Sequence, residues 1–485
     1  MDFYFKLALY AVSAELFRRF VTLLIGAFTG PLAKIPGPLV GKFTTLPWLV
    51  NTIQGETMNT IPELFKKYGE VVRTGPKLVV FADKAGVRKM LLETDLPKSP
   101  IYDKMRIHQG NATLFTETDK AALKVSRRLL SAGFSIAYLN GLEPHMRGCI
   151  RVFEDFLDSE CKKSNGSAVV DMSLVLSNLA FVMSATAFGG SFNMVTSNDV
   201  TLKESITQLF ARQVITFLFP IARYLPFIPS GQSPSLIKMT EDIIATRQAE
   251  MAQKLEVKKD ILQIILNAQQ TNPELYTEQR VRDEMNMFMA AGTDTTSHTI
   301  TCALLLLVNN PKKLKYLVAE LDRAFPSKND PITFAKTQDL PYLNAVINEA
   351  LRLLPIISAG VSRITTETTI LGNYEIPPGV EVLAWVSAKM VDPALWPDAD
   401  DFVPERWLGK YKSAEVDRAV FIPFSIGSRN CIGQQFAMKE MRLVLATLVR
   451  RYELTLVPGQ SHKLFWSLVP RFRQGFYNVG VKPRM

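Results

Sequence analysis

The 485-residue sequence reads as a mainly α-helical fold with small β-sheets, forming one large domain behind a short N-terminal segment. Three observations carry that reading. Residues 277–309 form a helical pattern that, at 1.5 Å per residue, would be roughly 50 Å long and cross a whole domain. Strand candidates are few and short, at 70–73, 77–81, 369–376, 380–385 and 452–457. No internal repeat, low-complexity tract or long Gly/Ser linker divides the chain.

The long helix has its own punctuation. Thr277 is a fair N-cap with Glu278 in the first turn, and Pro311 marks the stop. Midway lies Ala291-Gly292-Thr293-Asp294-Thr295-Thr296. Small residues beside hydroxyls are poor helix formers, and hydroxyls that bond back to the preceding turn bend a helix. A local widening is expected there. His298 falls four residues after Asp294, on about the same face, and is given no role.

Composition narrows the function classes. Hydrophobic residues make up 47% and charged residues 21%, which excludes a disordered chain. The net charge of +10 comes from scattered basic residues with no nucleic-acid motif, so nucleic acid is not an expected partner. An ordinary solvated surface and a docking face for an acidic protein both fit. The four cysteines (Cys149, Cys161, Cys302 and Cys431) show no CxxC spacing and suit a reducing compartment.

Residues 3–28 are mostly apolar but are interrupted by Lys6, Glu15, Arg18 and Arg19. A clean span needs about 20 predominantly apolar residues, and a cleaved signal peptide fits poorly. Residues 1–30 are expected to form a membrane-anchor helix, either a short tilted span or a helix lying in the interface. Residues 31–40, with Pro31, Pro36 and Pro38, read as a stiff hinge, and 41–485 as the body. A second apolar stretch at 216–228, broken by Pro220 and Pro226, reads as a loop dipping into the bilayer or as a buried loop.

The most informative segment is Phe424-Ser-Ile-Gly427-Ser-Arg429-Asn-Cys431-Ile-Gly433. It precedes a helical pattern from Gln434 to Tyr452 with Phe436, Met441, Leu443, Leu445 and Leu448 at apolar positions. Cys431 therefore lies at a helix N-terminus, where free N–H groups and the helix dipole favour a thiolate and lower a thiol pKa. Gly427 and Gly433 allow tight turning and close approach of a flat group. Arg429 offers a fork suited to a carboxylate. A thiolate with such neighbours suits a heme whose iron is held by sulfur. A lone cysteine is more often a small buried hydrophobe. Here F-x-x-G-x-R-x-C-x-G holds five positions in ten residues, which chance rarely produces.

With that spacing the chain resembles the cytochrome P450 superfamily from about Pro36 to its end, in a style similar to filamentous-fungal microsomal enzymes of secondary metabolism. The resemblance implies the cytochrome P450 fold, with heme b between the 277–309 helix and the Cys431 loop and Cys431 as the iron ligand. It gives Asp294 and Thr295 the acid–alcohol pair that delivers protons to dioxygen. Glu349 and Arg352, on one helical face at i,i+3, match a structural ion pair whose third member is Arg406. Arg363 and Arg127 match propionate-binding arginines, although Leu123 stands where the family usually has tryptophan. Phe424, Gly427, Arg429 and Gly433 complete the cofactor-binding set.

The implied reaction inserts one atom of O2 into a lipophilic small molecule such as a terpenoid, alkaloid or polyketide intermediate. The chain shows no flavin or nicotinamide motif, so electrons are expected from an NADPH-cytochrome reductase at the endoplasmic reticulum membrane, the catalytic domain facing the cytosol. Expected pocket walls are 100–116, 205–230, 288–292, 354–361 and 463–469. Three other readings remain: a heme-thiolate isomerase or dehydratase that needs no O2, a non-enzymatic heme protein, and a structural membrane protein with an inert Cys431. The first often lacks the acid–alcohol pair present here, and the last predicts no heme.

Overall fold

The computed structural model describes residues 2–108, 110–186, 215, 234–253, 260–357, 360–409, 411, 418–466 and 469–484. The expected apolar loop at 216–228 and most of the 205–230 wall lie outside the described residues.

The long helix forms where its caps predict. It runs from Glu278 to Asn309, and Thr277 Oγ1 accepts from the Arg280 N–H at 3.2 Å. The principal helices are α1 (Asp2–Phe28), α2 (Leu46–Gln54), α3 (Thr57–Tyr68), α4 (Lys120–Leu130), α5 (Glu143–Lys163), α6 (Met172–Thr186), α7 (Pro234–Ala252), α8 (Ile261–Thr271), α9 (Glu278–Asn309), α10 (Pro311–Ala324), α11 (Pro341–Leu353) and α12 (Gln434–Arg451). Pro311 stops α9 and also opens α10, because a proline at the first helical position loses no hydrogen bond. Central α9 packs against α6, α8, α10, α11 and α12. Its Met285, Cys302, Leu304 and Leu307 are fully buried in the main core.

The small sheets sit at the edge of this helical body. β1 (Val71–Gly75), β2 (Leu78–Phe81), β7 (Glu381–Ala384) and β4 (Val361–Ile364) form one sheet in the order β1-β2-β7-β4. β3 (Ala168–Asp171), β11 (Asn478–Pro483) and β8 (Tyr452–Leu456) form another. β9 (Leu464–Phe465) and β10 (Arg471–Phe472) make a short antiparallel ladder. The expected strand at 369–376 is a hairpin, β5 (Thr369–Leu371) and β6 (Tyr374–Ile376). Gly372 at φ +55° makes the reversal, since a tight hairpin needs positive φ there. The strands β3, β4, β9, β10 and β11 carry no strong alternation and were not expected.

α1 forms as one continuous helix. No helix among the described residues is long and apolar enough to cross a membrane. Lys6, Glu15, Arg18 and Arg19 interrupt the apolar run, and Glu15 pairs with Arg18 at 2.7 Å and Arg19 at 2.8 Å. The proline segment is docked onto the body. Its Pro36 carbonyl accepts from the Arg73 N–H at 2.8 Å, and a Cβ on Gly37 would stand 2.2 Å from the Arg73 carbonyl oxygen. The buried Arg73 guanidinium donates to the carbonyls of Gly26, Leu32, Gly75 and Pro76, tying the end of α1 to β1.

Candidate active site

The Cys431 loop is built by backbone geometry that only glycine permits. Gly427 has φ +81°, and a Cβ there would lie 2.1 Å from the Leu91 carbonyl oxygen. The loop closes with the Cys431 N–H donating to the Phe424 carbonyl at 2.9 Å. Gly433 then caps α12, whose Phe436, Met441, Leu443, Leu445 and Leu448 are all buried, as the apolar pattern requires.

The free thiol of Cys431 is exposed, yet crowding by the surrounding protein pushes its pKa up. The Gly433 N–H and the Arg127 charge pull the other way. The lowering expected from the helix terminus is thus outweighed by desolvation. A coordinating metal ion would reverse that balance, because coordination deprotonates a thiol outright.

Arg127 comes from α4. Its Nη1 donates to the Asn430 carbonyl at 2.8 Å and its Nη2 to Asn430 Oδ1. In this structure its hydrogen bonds hold the residue next to the cysteine.

Near this loop lies a cluster of buried cations. Arg363 on β4 is almost wholly buried, and the Arg429 side chain is almost wholly enclosed. Arg429 pairs with Asp95 and Ser428, and Arg363 Nη1 donates to the Ser362 carbonyl at 2.9 Å. The Nε–H groups of both arginines are buried without an acceptor. Lys98 is bridged to Arg363 through the backbone, and its Nζ donates to the carbonyls of Leu114 at 3.0 Å and Phe115 at 2.8 Å. Burial, then the charges of Arg363 and Arg429, push the Lys98 ammonium down to about 7.

Orphaned cationic donors beside an accessible thiol fit a flat cofactor that brings carboxylates, as heme does with its propionates. Lys98 was not found by the sequence reading. It belongs to no motif, and only the pairing of residues 98 and 363 brings it in.

Glu284 supports this cluster from α9. It is fully buried, accepts from the Leu114 N–H at 2.8 Å, and so holds the loop whose carbonyls engage Lys98. Burial pushes its carboxyl up to about 7 despite Arg280. A raised folded-state value means that Glu284 contributes stability below its unfolded value near 4.5, lost as pH rises toward 7. Glu284→Gln is expected to flatten the fall in stability of the cofactor-free protein between those limits, read by urea unfolding at several pH values. An unchanged slope would show that another group titrates there.

The 291–296 stretch is regular. α9 is continuous through it, without the expected widening. Three hydroxyls turn back on their own helix, Thr293 to the Met289 carbonyl, Thr295 to Ala291 and Ser297 to Thr293, all at 2.7 Å, while the buried Thr296 hydroxyl has no hydrogen-bond partner among the described residues. These bonds share carbonyls with the helical ladder without breaking it. Thr295 is half-buried, and Asp294 Oδ2 accepts from Arg471 Nη2 at 3.1 Å. Gly292 is required by α6, since a Cβ would stand 2.6 Å from Ser184 Oγ.

The structural trio assembles as expected and is larger than expected. Arg352 Nε and Nη2 donate to Glu349 at 2.9 and 2.8 Å, and Arg406 Nε donates at 2.9 Å. The Val403 N–H and Trp407 Nε1 add bonds of 3.1 and 2.9 Å. None of this touches the cysteine loop directly, which fits a folding role.

Comparison with known proteins agrees. The family profile of cytochrome P450 matches residues 36–469. The chain is similar to cytochrome P450 monooxygenase acrD of Aspergillus aculeatus, at 32% identity over 94% of this chain and 91% of that one. It is similar to cytochrome P450 monooxygenase LUC2 of a Fusarium species, at 32% identity over 96% and 91%. Cytochrome P450 monooxygenase FUS8 of Gibberella moniliformis matches at 30% identity over 94% and 89%. The crystal structure of the cytochrome P450DA heme domain shares the fold, with TM-score 0.78 and 22% identity over 93% of this chain and 98% of that one. A cysteine at a helix N-terminus, a cluster of buried cations with two orphaned Nε–H donors and a profile match across most of the sequence converge, and the chain belongs to the cytochrome P450 family of heme-thiolate monooxygenases.

Proposed function

We propose that this protein inserts one atom of O2 into a lipophilic small molecule of fungal secondary metabolism, a terpenoid, alkaloid or polyketide intermediate, with Cys431 as the iron ligand. The exposed Cys431 thiol beside orphaned cationic donors carries the reading. The names and fungal sources of the relatives support it. Bound heme supplies oxygen activation, which a thiolate ligand favours.

The chain's own residues do the rest. Arg363, Arg429 and Lys98 would hold the carboxylates of the cofactor, and the Gly433 N–H supports the sulfur. Thr295 Oγ1 rests on the Ala291 carbonyl and can exchange that bond to pass a proton inward, with the Asp294 carboxylate as the next station. Phe288, packed against Phe134 with ring centroids 5.5 Å apart, and neighbouring apolar residues of α9 supply a lipophilic wall. Electrons come from an NADPH-cytochrome reductase, drawn to the basic surface.

The test is the carbon monoxide difference spectrum of the reduced protein. Wild type should show the strongly red-shifted Soret band of a thiolate ligand, and Cys431→Ala should lose both that band and all turnover. A variant that keeps the band removes Cys431 from the iron.

The protein is further proposed to sit on the endoplasmic reticulum membrane, its catalytic body facing the cytosol, with α1 as the anchor. Tyr4, Phe5, Tyr10, Phe17 and Phe20 of α1 are all exposed, as are Leu39, Val40, Leu46, Val50 and Ile53 nearby. Pairing of Glu15 with both arginines lessens the cost of taking their charges into lipid. Deleting residues 1–24 should release the protein from membranes with its heme retained, because Gly26 stays to receive Arg73. Full retention on sedimented membranes would transfer the anchoring role to another surface.

A further inference from the structure

Asp294 is held by an element far from it in sequence. β10 lies across one face of α9. Arg471 Nη2 reaches Asp294 Oδ2 at 3.1 Å, and the Phe472 ring packs on His298, one turn further, at 5.7 Å between centroids. Phe472 also stacks on Tyr477 at 4.7 Å, which fixes the strand's height over the helix. The outer side of the hairpin is pinned elsewhere. The Trp466 N–H donates to the Gly55 carbonyl at 3.0 Å, and Arg473 pairs with Glu56 between α2 and α3. β9 and β10 are thus held on both sides, and Arg471 meets Asp294 from β10.

We propose that Arg471 is a positioning residue that keeps the Asp294 carboxylate ionised and aimed for proton delivery to the oxygen-activation site. The proposal rests on the monooxygenase reading above and extends it to a residue outside every motif. An arginine beside a carboxylate favours its charged form by roughly 1–3 pKa units, less where solvent screens the pair. Here the Arg471 side chain is 39% exposed and the Asp294 side chain 14%, so solvent reaches the guanidinium more than the carboxylate.

Several charged groups on the neighbouring elements have partners of their own. α6, which packs on the 292 region, carries no ionisable side chain from Met172 to Thr186. Glu349 and Arg352 of α11 bind each other, Glu453 of β8 pairs with Lys482, and Glu241 of α7 with Arg282. Glu440 of α12 is buried, with desolvation pushing its carboxyl pKa well up, and His298 and Tyr477 pack against Phe472.

The test uses the full-length holoenzyme and compares wild type with Arg471→Gln, Arg471→Lys and Asp294→Asn. Infrared difference spectra against Asp294→Asn isolate the protonated carboxyl stretch of Asp294 without any turnover. Its titration midpoint should rise by about one pH unit in Arg471→Gln and return in Arg471→Lys. The ratio of NADPH consumed to product formed should rise severalfold in Arg471→Gln, with its pH profile displaced the same way, and fall back in Arg471→Lys. An unmoved midpoint and profile, with only a lower melting temperature shared by both Arg471 variants, would overturn the proposal and leave Arg471 as a hairpin clamp. Failure of the monooxygenase reading is separate: wild type would then form product without consuming NADPH, or lack the thiolate band altogether, whereas the carboxyl midpoint would still report on the pair.

Discussion

Glu349→Gln is expected to prevent accumulation of folded, heme-containing protein. Five hydrogen bonds converge on this carboxylate, from Arg352 Nε and Nη2, Arg406 Nε, Trp407 Nε1 and the Val403 N–H. All the charged members are essentially without solvent contact. A glutamine keeps the shape but turns an NH2 group toward donors and removes the charge that two buried guanidinium groups face. Breaking a buried ion pair on one side costs about 3–5 kcal/mol, a large part of the 5–15 kcal/mol that typically holds a domain together. The remaining arginine bonds, to the carbonyls of Met390, Pro397, Asp398 and Asp401, orient the guanidinium groups but carry no compensating charge. Heme content per polypeptide and urea unfolding measure the effect. A stability within about 1 kcal/mol of wild type would show that the cluster adds specificity rather than stability.

Gly427→Ala is expected to be the most damaging single-methyl change in the molecule. Two independent penalties coincide. The residue has φ +81°, where a side chain costs roughly 1–3 kcal/mol. The added Cβ would also meet a backbone carbonyl, that of Leu91, at 2.1 Å, and backbone cannot swing aside as a flexible side chain can. Relief requires the 427–431 turn to move away from the segment at 91, carrying Cys431 with it. The expected outcome is a protein that reaches the soluble fraction in reduced amount and binds heme poorly, with a carbon monoxide spectrum shifted toward that of a lost thiolate. Gly379→Ala is the matched control: it has a similar φ of +74° but nothing within 4 Å of its Cβ, so it should pay only the conformational penalty. Equal effects at the two positions would mean that strain alone, and not the approach to Leu91, governs the loop.

Parts of the site that depend on local geometry could be read directly. The Thr277 cap, the Cys431 turn ahead of α12 and the i,i+3 pair Glu349–Arg352 each need only a few neighbouring residues, and each forms as expected. Where local chemistry and packing compete, the local reading goes astray. The helix terminus at Cys431 favours a thiolate, but desolvation by burial is larger. The hydroxyls of 293–297 suggested a widened helix, yet back-bonding to carbonyls four residues earlier leaves α9 regular. Residues 369–376 alternate like a single strand, and the positive φ of Gly372 divides them.

The sequence by itself determined the family, the helical frame and the cysteine turn ahead of α12, because motif spacing and periodicity are short-range properties that survive without knowledge of the fold. The tertiary structure decided which charges meet. Lys98 joins Arg363 and Arg429, Trp407 joins Glu349, Arg73 fastens α1, and Arg471 reaches Asp294, each across tens to hundreds of residues. Nothing in a run of neighbouring residues encodes such a meeting. It arises only when buried polar groups are brought into a low-dielectric interior, where each must find a partner or shift its charge.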